Sequence, residues 1–88
     1  MFVETIVAPR REWERWHESL RLSDDPPEAL IASIAWDLGG GEVTGVNVWE
    51  NADGHQHFFL TRVRPFVEAE GEPPAQRHGE PLAFYLRP

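Results

Sequence analysis

Four segments of this chain are rich in apolar, β-branched and aromatic residues, and this composition is typical of β-strands. The first segment covers residues 1–8 and the last covers residues 82–86. Between them lie residues 30–37 and 42–50, joined by three glycines at 39–41. Glycine adopts the positive φ angles that a tight hairpin requires. The pattern therefore predicts four strands, of which the second and third form a hairpin.

The segment after the first strand changes to helical spacing. Three apolar residues recur three and four positions apart: Trp13, Trp16 and Leu20. Pro9 suits the first position of a helix, because its φ angle is already helical and its missing N–H is not needed there. We predict an amphipathic helix that ends before Pro26 and Pro27.

A second helix is predicted after the hairpin. Its N-cap is Asn51 or Asp53, and Asp53 is favoured because Gln56 follows three residues later, as in a capping box. Three apolar residues define the inward face of this helix: Phe59, Val63 and Phe66. Pro65 predicts a kink, Gly71 predicts the end of the helix, and a loop is expected over residues 72–79.

The order of elements is β-α-β-β-α-β, which predicts a ferredoxin-like α+β fold with a four-stranded antiparallel sheet. A right-handed crossover places the first two strands parallel with a gap between them, and the hairpin inserts the third strand into that gap. The fourth strand then lies beside the first, and both helices cover one face. A chain of 88 residues is predicted to form a single domain over residues 1–88.

Both faces of the predicted sheet are apolar, whereas a half-solvated sheet alternates apolar with charged residues. The third strand has Val43, Gly45, Asn47 and Trp49 on one face and Thr44, Val46 and Val48 on the other. Since helices cover only one face, a second sheet is needed for the other, and a second copy of the chain supplies it. We therefore expect a homodimer that forms an α/β barrel. The alternative is a monomer with a small, weakly polar outer face.

Composition excludes several classes of protein. The net charge is −7, and the eight Arg residues are dispersed, which disfavours nucleic acid as a partner. The absence of cysteine excludes thiolate metal sites and fits a reducing compartment. No apolar stretch is long enough to span a bilayer, and residues 1–8 do not resemble a signal peptide. We expect a cytoplasmic protein without a membrane partner.

Five short segments, in this order and spacing, resemble a known group of proteins. They are PEALIASIA at 27–35, GG at 40–41, VWE at 48–50, RVRPF at 62–66 and GEP at 71–73. In these segments the chain resembles actinobacterial-type, antibiotic-biosynthesis-monooxygenase-like members of the dimeric α/β-barrel superfamily. The resemblance implies a ligand pocket between the sheet and the helices of each subunit. It specifies fold more than function, since the superfamily includes cofactor-free oxygenases, haem-degrading enzymes, isomerases and ligand sensors.

The resemblance also implies candidate site residues. Cofactor-free oxygenases of this group use Asn and Trp on the sheet to hold a polyphenolic substrate, and Asn47 and Trp49 share one strand face. Asn47 would stabilise charge on a substrate oxygen, and Trp49 would stack on a ring. Trp36, Phe59 and Trp13 are the candidate ligand-binding residues. The structural alternative is that Trp49 packs against a helix and that Asn47 bonds locally.

The helical spacing of the second helix indicates which of its two histidines is nearer the core. At about 100° per residue, His55 lies at the edge of the inward face and His57 points outward. His55 is therefore the third catalytic candidate, as an acid or base. The two histidines share no helical face and form a poor metal pair, so no metal or cofactor is predicted. Haem degradation is disfavoured, because the haem-degrading relatives place an Asn on the first strand, where this chain has none.

Three hypotheses on function remain at this point. The first, which we favour, is a homodimer that binds a small apolar or aromatic ligand. The second is a cofactor-free monooxygenase-like enzyme that acts on an aromatic or polyketide-like substrate through Asn47, Trp49 and His55. The third is an interaction module whose open strand edges recruit another protein. A cavity lined by Asn47 and His55 would favour the second, and a solid core would favour the first or third.

Overall fold

The computed structural model describes residues 1–71 and 76–83, together with Tyr85 and Arg87. The strands are β1 Phe2–Pro9, β2 Leu30–Asp37, β3 Glu42–Trp49 and β4 Gln76–Gly79. The helical segments are α1 Arg10–Leu20, α2 Ala52–Phe58, a π-helical turn Phe59–Val63 and α3 Arg64–Glu70. None of these helices is long and apolar enough to cross a membrane.

The four strands form one sheet in the order β2-β3-β1-β4, and each neighbouring pair is antiparallel. The predicted order is confirmed, since β3 fills the gap between β1 and β2, and β4 lies beside β1. Gly39, Gly40 and Gly41 all have positive φ angles and close the β2–β3 hairpin. The chain therefore has the predicted ferredoxin-like α+β fold.

The last strand lies earlier in the chain than predicted. β4 pairs with residues 3–6 of β1 and falls within the segment expected to be a loop. The prediction of a strand at 82–86 is wrong where the structure describes it, because residues 82 and 83 form a bend. Phe84 and Leu86 lie outside the described residues. Pro81 has no N–H for a ladder and ends the pairing, and a short edge strand needs no apolar alternation that a sequence pattern could detect.

The second helix begins at a different cap from the one favoured above. The Oδ1 atom of Asn51 accepts a hydrogen bond from the backbone N–H of Gly54 at 2.7 Å. Asn51 has the extended backbone of an N-cap, with φ −160°. Asp53 lies inside the first turn, where its charge favours the positive end of the helix. The capping-box argument for Asp53 was therefore wrong.

The kink predicted at Pro65 takes the form of the π-helical turn. The N–H of Arg64 bonds to the carbonyl of Phe59, five residues earlier. Proline cannot donate an α-helical bond, and its ring crowds the preceding turn, so a wider turn accommodates it. The extra residue moves Phe58 and Val63 onto one face, where they are 5% and 3% exposed. Phe59, predicted to face inward, is 37% exposed.

The core lies between the sheet and the helical layer. Four buried residues from different elements form its centre: Trp16, Trp49, Phe58 and Val63. The ring centroids of Trp49 and Phe58 lie 5.2 Å apart. Trp16 packs edge-on against Phe66, with 4.0 Å between the ring centroids. Aromatic side chains therefore supply much of the apolar burial of this small domain.

No helix of the described residues lies on the other face of the sheet, and we call it the helix-free face. It is formed by alternate residues of three strands: Val3, Thr5, Val7, Ala32, Ile34, Trp36, Thr44, Val46 and Val48. A β-bulge between Leu30 and Ala32 shifts the alternation in β2, so that Ala32, Ile34 and Trp36 lie on this face and Leu30 does not. Ile34 is 62% exposed and Val7 45% exposed. The helix-free face is therefore mostly apolar in these strands, as expected, whereas the helix-covered face also carries Glu4, Ser33 and Asn47.

Candidate functional site

The helix-covered side of the sheet contains a buried carboxylate. Glu4 points inward from β1, with Phe2 and Ile6 on the same face, and is 3% exposed. Removing a carboxylate from water is costly unless N–H groups compensate its charge. The partners of Glu4 therefore define this part of the molecule.

Three side chains satisfy this carboxylate. Oε1 of Glu4 accepts hydrogen bonds from Nδ2 of Asn47 at 2.9 Å and from Nε1 of Trp49 at 3.0 Å. Oε2 contacts Nε2 of His55 at 3.0 Å. Glu4 lies directly opposite Asn47 in the β1–β3 ladder, and α2 brings His55 over the sheet. We call Glu4, Asn47, Trp49 and His55 the Glu4 cluster.

The hydrogen-bond pattern fixes the direction of the two bonds to Oε1 of Glu4. The Oγ atom of Ser33 donates to Oδ1 of Asn47 at 2.6 Å, which turns the amide nitrogen towards Glu4. The indole and amide N–H groups can only donate, so Oε1 of Glu4 accepts from both. The donor in the contact between Oε2 of Glu4 and Nε2 of His55 depends on the protonation of the two groups. When Nε2 of a neutral imidazole donates to an ionised Glu4, Nδ1 is the nitrogen with the lone pair.

Nδ1 of His55 is the unused polar atom of the cluster. It has no hydrogen-bond partner among the described residues. Since no buried side-chain nitrogen or oxygen of those residues lacks a partner, Nδ1 retains accessible surface. The His55 side chain is 14% exposed, against 4% for Glu4. A histidine held by a carboxylate through one nitrogen and accessible at the other has the geometry of a general base.

Two small cavities lie between the sheet and the helices, one on each side of Asn47. The cavity under α1 has a volume of about 40 Å³ and is lined in part by Trp13, Leu22 and Ser33. The cavity under α2 has a volume of about 30 Å³ and is lined in part by Glu4 and His55. A single water needs roughly 10–15 Å³, so these cavities have room for a few waters at most and are too small for an aromatic ring.

A larger space opens beside His55, between α2 and the strands β1 and β4. Its volume is about 370 Å³, and its walls are mostly apolar. The lining residues are Phe2, Ala52, His55, Gln56, Phe59 and His78. The rings of Phe2 and His55 lie 5.0 Å apart, and each is 5.4 Å from the ring of His78. We call this space the His55 cleft, and its size lies in the range of small-molecule sites, roughly 300–1,000 Å³.

The structure brings together three of the six predicted site residues: Asn47, Trp49 and His55. Trp49 has no exposed surface, and its N–H is bonded to Glu4, so it holds the carboxylate in place. Phe59 lines the adjoining His55 cleft, and Trp13 lines the cavity under α1. Trp36 lies opposite Thr44 on the helix-free face, so the structure does not bring it to this site.

Sequence analysis missed Glu4 and His78. The signal for Glu4 is its phase, because Phe2, Ile6 and Ala8 are apolar and share its strand face. A single carboxylate in such a row predicts a buried charge with partners. His78 fell within the expected loop, whereas β4 places it directly opposite Glu4. In the described parts of the chain, no group of three or more His, Asp or Glu side chains could hold a metal ion.

The chain matches no protein-family model and no curated protein in sequence. Solved structures do match it. A protein from Deinococcus radiodurans, described as a candidate antibiotic biosynthesis monooxygenase, is 14% identical over 100% of both chains, with a TM-score of 0.65. A monooxygenase from the gene ActVA-Orf6 of Streptomyces coelicolor, in complex with the ligand nanaomycin D, is 16% identical. It covers 99% of this chain and 92% of its own, with a TM-score of 0.60.

A third match is NE2512 of Nitrosomonas europaea, a protein of unknown function. It is 16% identical over 99% of this chain and 91% of its own, with a TM-score of 0.60. At these identities the matches show a shared fold and no shared chemistry. They confirm the resemblance at that level: the chain has the fold of small antibiotic-biosynthesis-monooxygenase-type proteins.

Proposed function

We propose that this chain is one subunit of a homodimer that binds a small apolar or aromatic ligand between its sheet and its helices. The observation that supports this most is the His55 cleft, whose volume is about 370 Å³ and whose mostly apolar wall ends at the Glu4 cluster. Small-molecule sites typically combine an apolar wall with a few well-placed polar groups. The two inner cavities are too small for this ligand.

The homodimer is proposed from the helix-free face. Single apolar residues on a protein surface are common, but here they are contiguous over three strands. A second copy, related by a two-fold axis, would cover this face with an identical face. A domain of this size also buries too little surface to be very stable alone, and dimerisation would add to its core.

The alternative is a cofactor-free monooxygenase-like enzyme. It is favoured by one observation, namely that Asn47 and His55 line the same cavity. Glu4 accepts one N–H of the Asn47 amide, and on this alternative the second N–H would donate to a substrate oxygen. On this alternative, Asn47→Ala abolishes turnover while the near-ultraviolet circular dichroism stays native. Unchanged turnover in the variant would remove Asn47 from the chemistry.

The ligand site is tested by nuclear magnetic resonance titration with 4-nitroanisole, a neutral aromatic probe. We expect the amide signals of Phe2, Ala52 and Phe59 to shift in the wild-type protein. Ala52→Trp fills the cleft and should weaken binding by about tenfold or more, a loss of about 1.4 kcal/mol. Ala69→Trp, on the exposed side of α3, is the matched control and should bind as wild type does. Binding that survives in Ala52→Trp, or no binding to the wild type, would contradict the site.

A further inference from the structure

Residues 21–25 connect α1 to the two prolines before β2, and one of them reaches the interior. Leu22 lines both inner cavities, the one under α1 and the one under α2, and packs against the core. Leu20, the last residue of α1, and Asn47 also line both cavities. Because the two cavities share this boundary, the position of the Leu22 side chain decides whether they are two spaces or one.

The 21–25 segment is attached to the sheet and to the second helical layer by side chains alone. Its backbone hydrogen bonds among the described residues are local. The N–H of Asp25 donates to the carbonyl of Arg21 at 2.8 Å, and the N–H of Arg21 donates to the last turn of α1. No backbone hydrogen bond between described residues joins residues 22–25 to a strand or to α2. The segment can therefore open without breaking the ladders of the sheet.

Arg62 makes most of these side-chain attachments. From the π-helical turn, its Nη1 atom donates to the carbonyl oxygens of Leu20 at 3.2 Å and of Asp25 at 2.5 Å. Its Nη2 atom donates to Oδ2 of Asp25 at 3.2 Å. One further contact, 2.8 Å between Nε2 of His17 and Oγ of Ser23, joins the segment to α1 only. Arg62 is therefore the link between this segment and the second helical layer.

The two ends of the segment differ in backbone freedom. Arg21 is the only described residue other than glycine with a positive φ angle, 56°. This left-handed conformation is unfavourable for a residue with a Cβ atom, so the surrounding contacts must hold it. Pro26 and Pro27 have a fixed φ angle at the other end. Rotation at Arg21 would relieve the local strain and move the segment away from the cavities.

We propose that residues 21–25 form a lid over the space between the sheet and the helices, and that Arg62 holds this lid closed. When the lid opens, Leu22 withdraws, the two inner cavities join, and Asn47 becomes accessible to solvent. The inference does not depend on the His55 cleft, which is lined by neither Leu22 nor Arg62. The lid gives the interior a second entrance, on the side of α1.

Hydrogen exchange, measured by nuclear magnetic resonance on the full chain, tests the lid. The backbone amide of Asp25 reports opening, the side-chain amide of Asn47 reports access to the interior, and the central amides of the sheet report global unfolding. Arg62→Gln loses charge-assisted hydrogen bonds and should accelerate exchange at Asp25 and Asn47 about tenfold or more relative to the sheet. Arg64→Gln, which loses an exposed ion pair with Glu68, is the matched control and should exchange as wild type does.

A second variant separates the cover from its attachment. Leu22→Ala removes the side chain that divides the two cavities but leaves the hydrogen bonds of Arg62 in place. Exchange should therefore rise at Asn47 and much less at Asp25. Leu38→Ala, at a position that is 91% exposed, is the control and should leave both unchanged. Unchanged exchange at Asn47 in Leu22→Ala would show that Leu22 does not cover the interior.

The outcomes in Arg62→Gln decide between a lid and a structural contact. Faster exchange at Asp25 alone would mean that the segment opens without covering Asn47. Equal acceleration at Asp25, at Asn47 and in the sheet would mean that Arg62 stabilises the whole fold and that no lid opens separately. Unchanged exchange would show that Arg62 does not hold the segment closed.

A milder variant keeps the test decisive if Arg62→Gln does not fold. Asp25→Asn weakens the same contact from its other side, and the Asp25 side chain is 62% exposed, so the fold should tolerate the change. Exchange should again rise at the backbone amide of residue 25 and at Asn47, by a smaller factor. Asp24→Asn, at the exposed neighbouring position, is the control. Equal exchange in the two variants would contradict the lid.

Discussion

The two faces of the sheet differ in how their surfaces are satisfied. The helix-covered face contains a carboxylate that is 3% exposed, and every buried polar side-chain atom among the described residues has a partner. The helix-free face has no charged residue in its central strands, yet Ile34 is 62% exposed and Trp36 39% exposed. One face buries charge and compensates it within the chain, whereas the other leaves apolar surface uncovered.

This contrast indicates where ligand and partner would act. Buried polar groups are costly unless paired, so a carboxylate kept inside a small core suggests a role in positioning other groups. An exposed apolar sheet is costly in water and indicates a surface that is covered in the working protein. The helix-covered face is therefore the candidate for chemistry, and the helix-free face is the candidate for assembly.

The largest effect is expected from a charge on the helix-free face. Val46→Lys or Val48→Lys would bury an unpaired ammonium group in the proposed dimer, which costs about 3 kcal/mol or more. The dimer should weaken at least about a hundredfold and appear as monomer or aggregate in size-exclusion chromatography with light scattering. Ala69→Lys, on the exposed side of α3, should remain dimeric. A stable, well-folded Val46→Lys dimer would show that this face is not the interface.

On the covered face, Glu4→Ala should be the most destabilising change. It leaves the donors of Asn47, Trp49 and His55 without their acceptor and opens a void beside them. The free energy of unfolding should fall by about 3–5 kcal/mol in urea titrations. Glu18→Ala, on the exposed face of α1, should change it by less than about 0.5 kcal/mol. Equal effects of the two variants would mean that the Glu4 cluster does not stabilise the fold.

A smaller effect tests how closely α2 approaches Ala29, the residue before β2. A Cβ atom at Gly54 would collide with the Cβ atom of Ala29. Gly54→Ala should therefore cost about 1–3 kcal/mol, despite the higher helix propensity of alanine. Adding Ala29→Gly should relieve the overlap and recover part of the loss. Gly79→Ala meets no atom within 4 Å and is the steric control.

The smallest effect concerns the cap of α2, which holds His55 over the sheet. Asn51→Ala removes the side-chain hydrogen bond to Gly54 and should cost about 1 kcal/mol in thermal or urea unfolding. Asp53→Ala removes only a favourable charge near the helix start and should cost less. A larger loss of stability in Asp53→Ala than in Asn51→Ala would indicate that Asp53 is the cap.

Much of the fold could be predicted from the sequence, because local patterns determined it. The glycines at 39–41 specified the hairpin, the apolar and β-branched composition of the first three strands gave their positions, and the helical spacing gave that of α1. The prediction failed where tertiary contacts decided the outcome. β4 is a polar edge strand, and the π-helical turn before Pro65 changes the helical phase, so that Phe58 replaces Phe59 in the core.

The candidate site could be predicted only in part. Strand phase placed Asn47 and Trp49 on one face, and helix phase placed His55 at the edge of the inward face; the structure brings all three to Glu4. Glu4 was missed because a glutamate in a strand is most often exposed, and only its phase with Phe2, Ile6 and Ala8 indicates that it is buried. The β-bulge in β2 separates Trp36 from this site, and no local pattern in the sequence predicts such a bulge.

The most direct test of these conclusions is native mass spectrometry of protein purified gently from the cells that make it. The proposed assembly predicts a species of twice the 10.1 kDa chain mass. Extra mass from a bound aromatic compound would also support the ligand site. A monomer over a wide range of concentrations would contradict the proposal that a second copy of the chain covers the helix-free face.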